Sequence, residues 1–451
     1  MKPFHLLYCS FLLLSSSCNK FLDEKPDIKM AVPKTLADCE LLLNDYTTMN
    51  MSYPISGEIG IDDYYLDTDT WGSLPKIEQR NAYIWVDEPY DDAVQWQKPY
   101  KTVYLSNQIL EILADLKVDK GSMAHRKAMG AAYFFRAFAF HQLAEVFAPA
   151  YTQATASTTY GIPLRLKAGI DEASVRADLQ QTYDRIIADY NAAIQYLPIS
   201  EQLIGRPHKA AAYAGMARVY LGMGRFAEAY AYADSCLTLK SQLMDFNHLS
   251  TFDELPIPQY NVEVLFSAIV GNAGPLAMTR ALVDSTLYDS YQARDLRKKI
   301  FFQMNEYPEG SYAYKGNYDN GYSNLFVGLT TSEIFLIRGE AAVRTGKVDQ
   351  ALDDLNRLLQ ARWRTGYYVP ITERNPEILL DLLLVERRKE LLFRGRRWAD
   401  LKRLNLEPRF AKQLLRKVGG KEYQLEPNDP KYAFRIPETV IRLSNIPQNK
   451  R

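Results

Sequence analysis

A single spacing occurs twice in this chain and restricts its architecture more than any other feature. Ala217, Tyr220, Gly224 and Ala229 fall at offsets of zero, three, seven and twelve, and Gly339, Ala342, Gly346 and Ala351 repeat those offsets. Small residues at the first and last offsets let two antiparallel helices approach closely, and the glycine between them makes the turn. The chain is therefore read as mostly α, built from helix pairs. About a hundred residues of different character separate the two hairpins, so the pairs cannot stack as an uninterrupted solenoid, and long excursions must intervene.

Periodicity predicts further pairs over 93–117 with 123–147, and over 174–197 with the hairpin 208–239. Pro198 closes the 174–197 helix and Arg206-Pro207 opens the next, as proline does at helix boundaries. A last helical region spans 332–403. Within it, residues 386–403 read ERRKELLFRGRRWADLKR. Glu386, Glu390 and Arg394 are spaced by four, and Glu386 and Lys389 by three, so intrahelical pairing is expected to absorb much of this charge. Gly395 is read as the helix stop, with Trp398 and Leu401 as apolar anchors. The basic run Arg394 to Arg397 is read as a solvated or paired face.

Aromatic residues gather without helical spacing in the excursions. From Tyr53 to Tyr90 the chain carries Tyr64, Tyr65, Trp71, Tyr83 and Trp85 among Gly, Pro, Asp and Thr, and from Tyr288 to Tyr322 it carries seven more rings, Tyr291, Phe301, Phe302, Tyr307, Tyr312, Tyr314 and Tyr318, interleaved with glycines. Both segments read as loop or short strand. The 31 tyrosines of the 451 residues need an explanation, and these segments supply one. Loop aromatics give stiff amphipathic surfaces that can stack on a sugar face or a peptide, although many such rings only pin a loop to the core.

Lysine plus arginine and aspartate plus glutamate both number 54, which gives no electrostatic reason to expect nucleic acid or an anionic membrane surface as partner. Lys2, an apolar run from Phe4 to Leu14 and Ser15-Ser16-Ser17-Cys18 read as a secretory signal over 1–17, processed before a lipidated Cys18; a plain signal with a coincidental cysteine is the alternative. No later run of eighteen apolar residues predicts a membrane span, so anchoring through lipid alone is expected. Cys39 and Cys236 remain, and a bridge between them is possible but not favoured.

Catalytic patterns are sparse. His5, His125, His141, His208 and His248 are scattered, with no zinc-protease motif, nucleophile elbow or phosphate loop. His141 lies on an aromatic helix face and is read as a hydrogen-bonded core residue. Asp67, Asp69, Gly72 and Glu78 stand at the first, third, sixth and twelfth places of a calcium loop, but Trp71 replaces an acidic ligand, and turn-forming aspartates are the preferred reading. No cofactor is expected and no metal site is assigned.

Ordered along the chain are CNKFLDEKP at 18–26, Trp96-x3-Tyr100 with Asn107, AAYFFRAFAFHQLAEVFA at 131–148, TYDRIIADYNAAIQYLP at 182–198, GRPHKAAAYAGMARVYLGMG at 205–224, SEIFLIRGEAAVRTG at 332–346, the 386–403 string and RIPETVIRLSNIPQN at 435–449. This series resembles the SusD/RagB family of outer-membrane nutrient-binding lipoproteins, and the two hairpins resemble tetratricopeptide repeats. Two departures stand out: Pro149 replaces a glycine-rich turn, and Arg394 replaces an acidic residue before Gly395.

The resemblance implies a SusD-like domain over 31–451 behind a lipidated tether at 18–30, with helix pairs near 93–147, 174–239 and 332–403 and excursions at 45–92, 240–331 and 404–451. It implies a non-enzymatic protein at the cell surface that binds an oligosaccharide and acts as the lid of a SusC-like TonB-dependent transporter. The ligand platform is expected from Trp71, Trp85, Tyr312, Tyr314 and Tyr318, with Asn317 and Asn320 as hydrogen-bonding partners. Paired helices alone also permit a secreted peptide- or protein-binding scaffold with no transport role, and a glycosidase would need two carboxylates brought together by the fold.

Overall fold

The computed structural model describes residues 32–169, 172–271 and 274–451. Its frame is a succession of antiparallel helices. Val94–Asp115 packs against Met123–Phe147, whose start is capped by the Ser122 hydroxyl accepting the His125 N–H. Alanines 131, 132, 137, 139 and 144 are fully or almost fully buried, and this leaves room for Phe134 and Phe138 to meet Phe266 edge-on. The third helix runs over Leu179–Tyr196, five residues shorter at its start than periodicity suggests. Arg176–Asp178 instead pairs as a strand with Tyr160–Pro163, and Asp178 forms a capping box with Gln181 that fixes the helix start.

The two spaced motifs occupy the hairpins Lys209–Gly222 with Phe226–Leu239 and Thr331–Arg344 with Val348–Gln360. Gly224 and Gly346 make their turns at φ of +71° and +78°, where a side chain would be strained. At Gly215 a Cβ would lie 2.5 Å from the Tyr190 ring, so the small residue sets the approach of Leu179–Tyr196 to Lys209–Gly222. The hairpins, remote in sequence, touch through Phe226–Leu239 and Thr331–Arg344. Pro376–Glu390 then packs on Thr331–Arg344, around a smaller core of Leu336, Leu355, Leu358 and Leu383.

Excursions fold more than their composition suggests. The 45–92 segment holds four short helices, Tyr46–Met49, Ser56–Ile59, Thr68–Gly72 and Ile77–Tyr83. Among the described residues, all sheet structure consists of two-stranded pairs. Tyr64–Tyr65 pairs with Leu282–Val283, Phe302–Met304 with Tyr312–Tyr314, and Leu414–Val418 with Lys421–Leu425.

Charges of the 386–403 region mostly bind distant elements together: the expected Glu386–Lys389 pair forms at 2.7 Å, but the expected Glu390–Arg394 pair does not. Glu390 is fully buried and accepts from Arg362 (2.8 Å) and Arg297 (3.3 Å), not from Arg394. Arg394 instead donates to the Thr330 hydroxyl and lies over the Tyr318 ring at 3.8 Å. Arg396 forks onto Glu145, Arg397 onto Asp62 and Arg403 onto Glu340. Bidentate guanidinium–carboxylate geometry explains why arginine is preferred at these buried joints. Trp398 is buried, with its indole N–H on the Tyr432 carbonyl. Cys39 and Cys236 are free and buried, and no described helix is long and apolar enough to cross a membrane.

Candidate ligand-binding surfaces

Four of the seven nominated residues face inward, which corrects the expectation that they meet a ligand. Trp85 is 5% exposed, adopts a φ of +56° and donates its indole N–H to the Gly60 carbonyl at 2.9 Å. Tyr314 is buried against Phe301 and Phe393, with its hydroxyl on the Gly316 carbonyl. Tyr318 is buried between the Arg394 guanidinium and Phe326, and its hydroxyl donates to Glu263 at 2.7 Å. Asn317 spends its amide on the Gly321 and Asn324 carbonyls, shaping the turn. In each case the ring or amide stabilises its own loop, because a buried polar tip requires a partner.

Asn320 is exposed, yet its amide nitrogen donates to the Leu255 and Ile257 carbonyls, so it also acts as a loop clamp. Trp71 and Tyr312 remain half-buried. Trp71 sits on Thr68–Gly72, its indole N–H on the Arg80 carbonyl at 3.1 Å, close to the Gly419 turn. Tyr312 is stacked on Tyr288 with centroids 3.5 Å apart and planes 15° apart, and the Lys298 ammonium lies 4.4 Å from the Tyr288 centroid. Burial, followed by the adjoining Tyr312 phenol, pushes the Tyr288 hydroxyl well above its ordinary range.

Tyr65 belongs to the same neighbourhood. It is exposed on a strand paired with Leu282–Val283, which packs on Tyr312–Tyr314. Burial first, then the nearby charges of Asp284 and Asp67, raise its phenol. Tyr65, Tyr288 and Tyr312 thus lie on adjoining elements, and Trp71 follows Tyr65 by six residues. The sequence contained Tyr65 and Tyr288 among the aromatic excursions, but nothing local distinguished an outward ring from an inward one.

Other chemistry is absorbed by the fold. Asp67 caps Thr68–Gly72, accepting from the backbone and hydroxyl of Thr70 at 2.8 and 2.6 Å, which is the turn role. Among the described residues no group of three or more His, Cys, Asp or Glu side chains is placed to hold a metal ion. His125 bonds the Leu113 carbonyl and His208 accepts the Ala211 N–H. His141 is buried 3.6 Å from Glu145, and burial lowers it to about 4, so it is neutral at physiological pH.

A family model described as starch-binding associating with outer membrane matches residues 20–221, and the model of the SusD family matches residues 280–450. The chain belongs to the SusD family. It is 23% identical to SusD-like protein P2 of Formosa agariphila over 90% of this chain and 91% of that one. Among solved structures it resembles a SusD superfamily protein of Bacteroides thetaiotaomicron (TM-score 0.75, 20% identity, 92% of this chain and 100% of that one). It also resembles surface glycan-binding protein A of Bacteroides fluxus (TM-score 0.69, 17% identity, 92% and 99%).

Proposed function

We propose that this protein is a non-enzymatic, lipid-anchored binder of oligosaccharides at the outer surface of the outer membrane. It serves as the lid of a SusC-like TonB-dependent transporter, with Cys18, outside the described residues, as the acylated anchor. The hairpins at 209–239 and 331–360 are tetratricopeptide-type supports for the excursions. Family membership supports the binding role, as do the names of relatives such as the surface glycan-binding protein.

The observation that carries the site is the Tyr288–Tyr312 stack, with exposed Tyr65 on a strand whose partner, Leu282–Val283, packs on Tyr312–Tyr314; half-buried Trp71 is assigned to the same surface as part of the proposal. Rings braced against one another are already ordered before binding, so stacking on a sugar face costs little entropy. Lys298 and Asp284 provide polar groups for hydroxyls at the edge of the rings. Trp85, Tyr314, Tyr318, Asn317 and Asn320 are left to the scaffold. A glycan array with the purified protein, together with isolation of the native complex from outer membranes, tests the reading. Binding of a glycan without its cleavage and recovery of a TonB-dependent barrel are the expected results; failure of both refutes it.

A further inference from the structure

A second aromatic recess lies along Val94–Asp115. Trp96, Tyr100 and Tyr104, spaced by four, form a ladder along one face of that helix and line a cavity of about 250 Å³ with Pro163, Arg165 and Lys167. This is smaller than the ~300–1,000 Å³ of pockets for drug-sized ligands, and it suits a single ring. The ladder is rigid. Trp96 meets Phe147 edge-on and Tyr100 obliquely, both at 5.0 Å, and the Tyr100 hydroxyl is fixed on the Pro163 carbonyl at 2.8 Å. Tyr104 alone presents its ring broadly to solvent.

The opposite wall is cationic. Arg165 donates only to neutral acceptors, the Glu172 and Gly169 carbonyls and the Ser174 hydroxyl. Outside the lining of the recess, Arg176, whose charge reaches the Tyr100 phenol, likewise donates to the carbonyls of Tyr160, Gly161 and Pro447 and to the Asn449 amide oxygen. Elsewhere in the molecule most buried guanidinium groups are paired with carboxylates, including Arg136, Arg218, Arg297, Arg362, Arg396 and Arg403. Of the carboxylates near this wall, Glu172 is held by Lys167 at 3.0 Å, and Glu111 accepts the Ala168 N–H. Among the described residues, the Arg165 guanidinium, the one that lines the recess, bonds no carboxylate.

We propose that this recess is a second saccharide subsite, selective for a sugar ring that bears an anionic substituent, either a carboxylate or a sulfate. The ring stacks on Tyr104 and Tyr100, and its anion faces Arg165, the lining cation that bonds no carboxylate among the described residues. The proposal rests on the carbohydrate-binding reading but uses residues separate from the Tyr288–Tyr312 platform.

The test is calorimetric titration of the full protein with tetragalacturonate, with a carrageenan tetrasaccharide and with neutral galactotetraose. At least one anionic probe is expected to bind about tenfold or more tighter than the neutral one, with an affinity that falls as salt rises. Tyr104→Ala and Lys167→Glu, both at exposed positions, are each expected to weaken that binding about tenfold with unchanged thermal midpoint, while Trp71→Ala leaves it unaltered. The identity of the preferred probe separates carboxylate from sulfate. Equal binding of charged and neutral probes overturns the proposal, as does anion binding indifferent to Tyr104→Ala. Absence of binding by all three probes, in a protein that still binds a neutral glycan through Trp71, overturns this subsite and leaves the proposed function standing.

Discussion

Replacing Glu390 by glutamine separates two pictures of the 386–403 helix by their magnitudes. Were Glu390 paired with Arg394 along an exposed helix face, its neutralisation would cost ~0.3–0.5 kcal/mol. The structure instead buries the carboxylate completely and sets it against Arg362, with contacts of 2.8, 3.1 and 3.2 Å, and Arg297 at 3.3 Å. Removing one partner of a buried pair costs ~3–5 kcal/mol because a charge is left uncompensated. Here Arg362 keeps Glu263 at 2.6 Å and Arg297 keeps Asp295 at 2.7 Å, so the lower end, ~3 kcal/mol, is expected. Burial alone would raise this carboxyl, but Arg362 and then Arg297 hold it below its ordinary range. Its stabilisation is therefore complete above the unfolded value near pH 4.5 and is lost as the pH falls through the lower folded value. Guanidinium chloride unfolding at pH 7, followed by tryptophan fluorescence, measures the change. Arg374→Gln, which breaks the exposed pair with Asp349, serves as the control and should cost under ~1 kcal/mol. A loss for Glu390→Gln no larger than that control refutes the cross-linking role.

Three further outcomes follow from the same packing. Gly215→Ala places a methyl within 2.5 Å of the Tyr190 ring and should destabilise by ~1–3 kcal/mol; unchanged unfolding would mean the two helices are not tightly nested. Glu58 is buried, with one oxygen accepting the Trp398 N–H and the other without a partner, and burial raises its carboxyl to about 8. The unfolded chain releases that proton near pH 4.5, so stability attributable to Glu58 falls as pH rises from ~4.5 to ~8; Glu58→Gln should gain stability relative to wild type across that window, and parallel pH profiles would contradict it. Trp85→Ala should cost ~3–5 kcal/mol of stability, whereas Trp71→Ala should leave the unfolding midpoint nearly unchanged and weaken glycan binding; the reverse pattern would restore Trp85 to the ligand site.

The fold class was legible because helix pairing is written in short-range spacing. Ala217 to Ala229 and Gly339 to Ala351 each carry their own turn and close contact, so no distant information is needed. The register of the charged helix was not legible, since Glu390 finds Arg297 and Arg362 across the fold, and an i,i+4 count has no access to such partners. Side-chain direction in the excursions was hidden for the same reason. Tyr312 and Tyr314 share one strand, but their burial is decided by what packs on it: Tyr314 is enclosed by Phe301 and Phe393, while the ring of Tyr312 stacks on the half-buried Tyr288. The ladder of Trp96, Tyr100 and Tyr104 did carry a local signal, a ring every fourth residue on one helix face. Its charged wall, supplied by Arg165 and Lys167 some sixty residues on, did not.

Binding without turnover at the Tyr288–Tyr312 surface is the claim most directly open to measurement. A neutral oligosaccharide identified by array should be titrated calorimetrically into wild type and into the Trp71→Ala/Tyr312→Ala variant, with the recovered sugar analysed by mass. The account predicts intact sugar throughout and an affinity loss of about tenfold or more in the variant; cleaved sugar, or equal affinity in a variant with an unchanged unfolding midpoint, would contradict it.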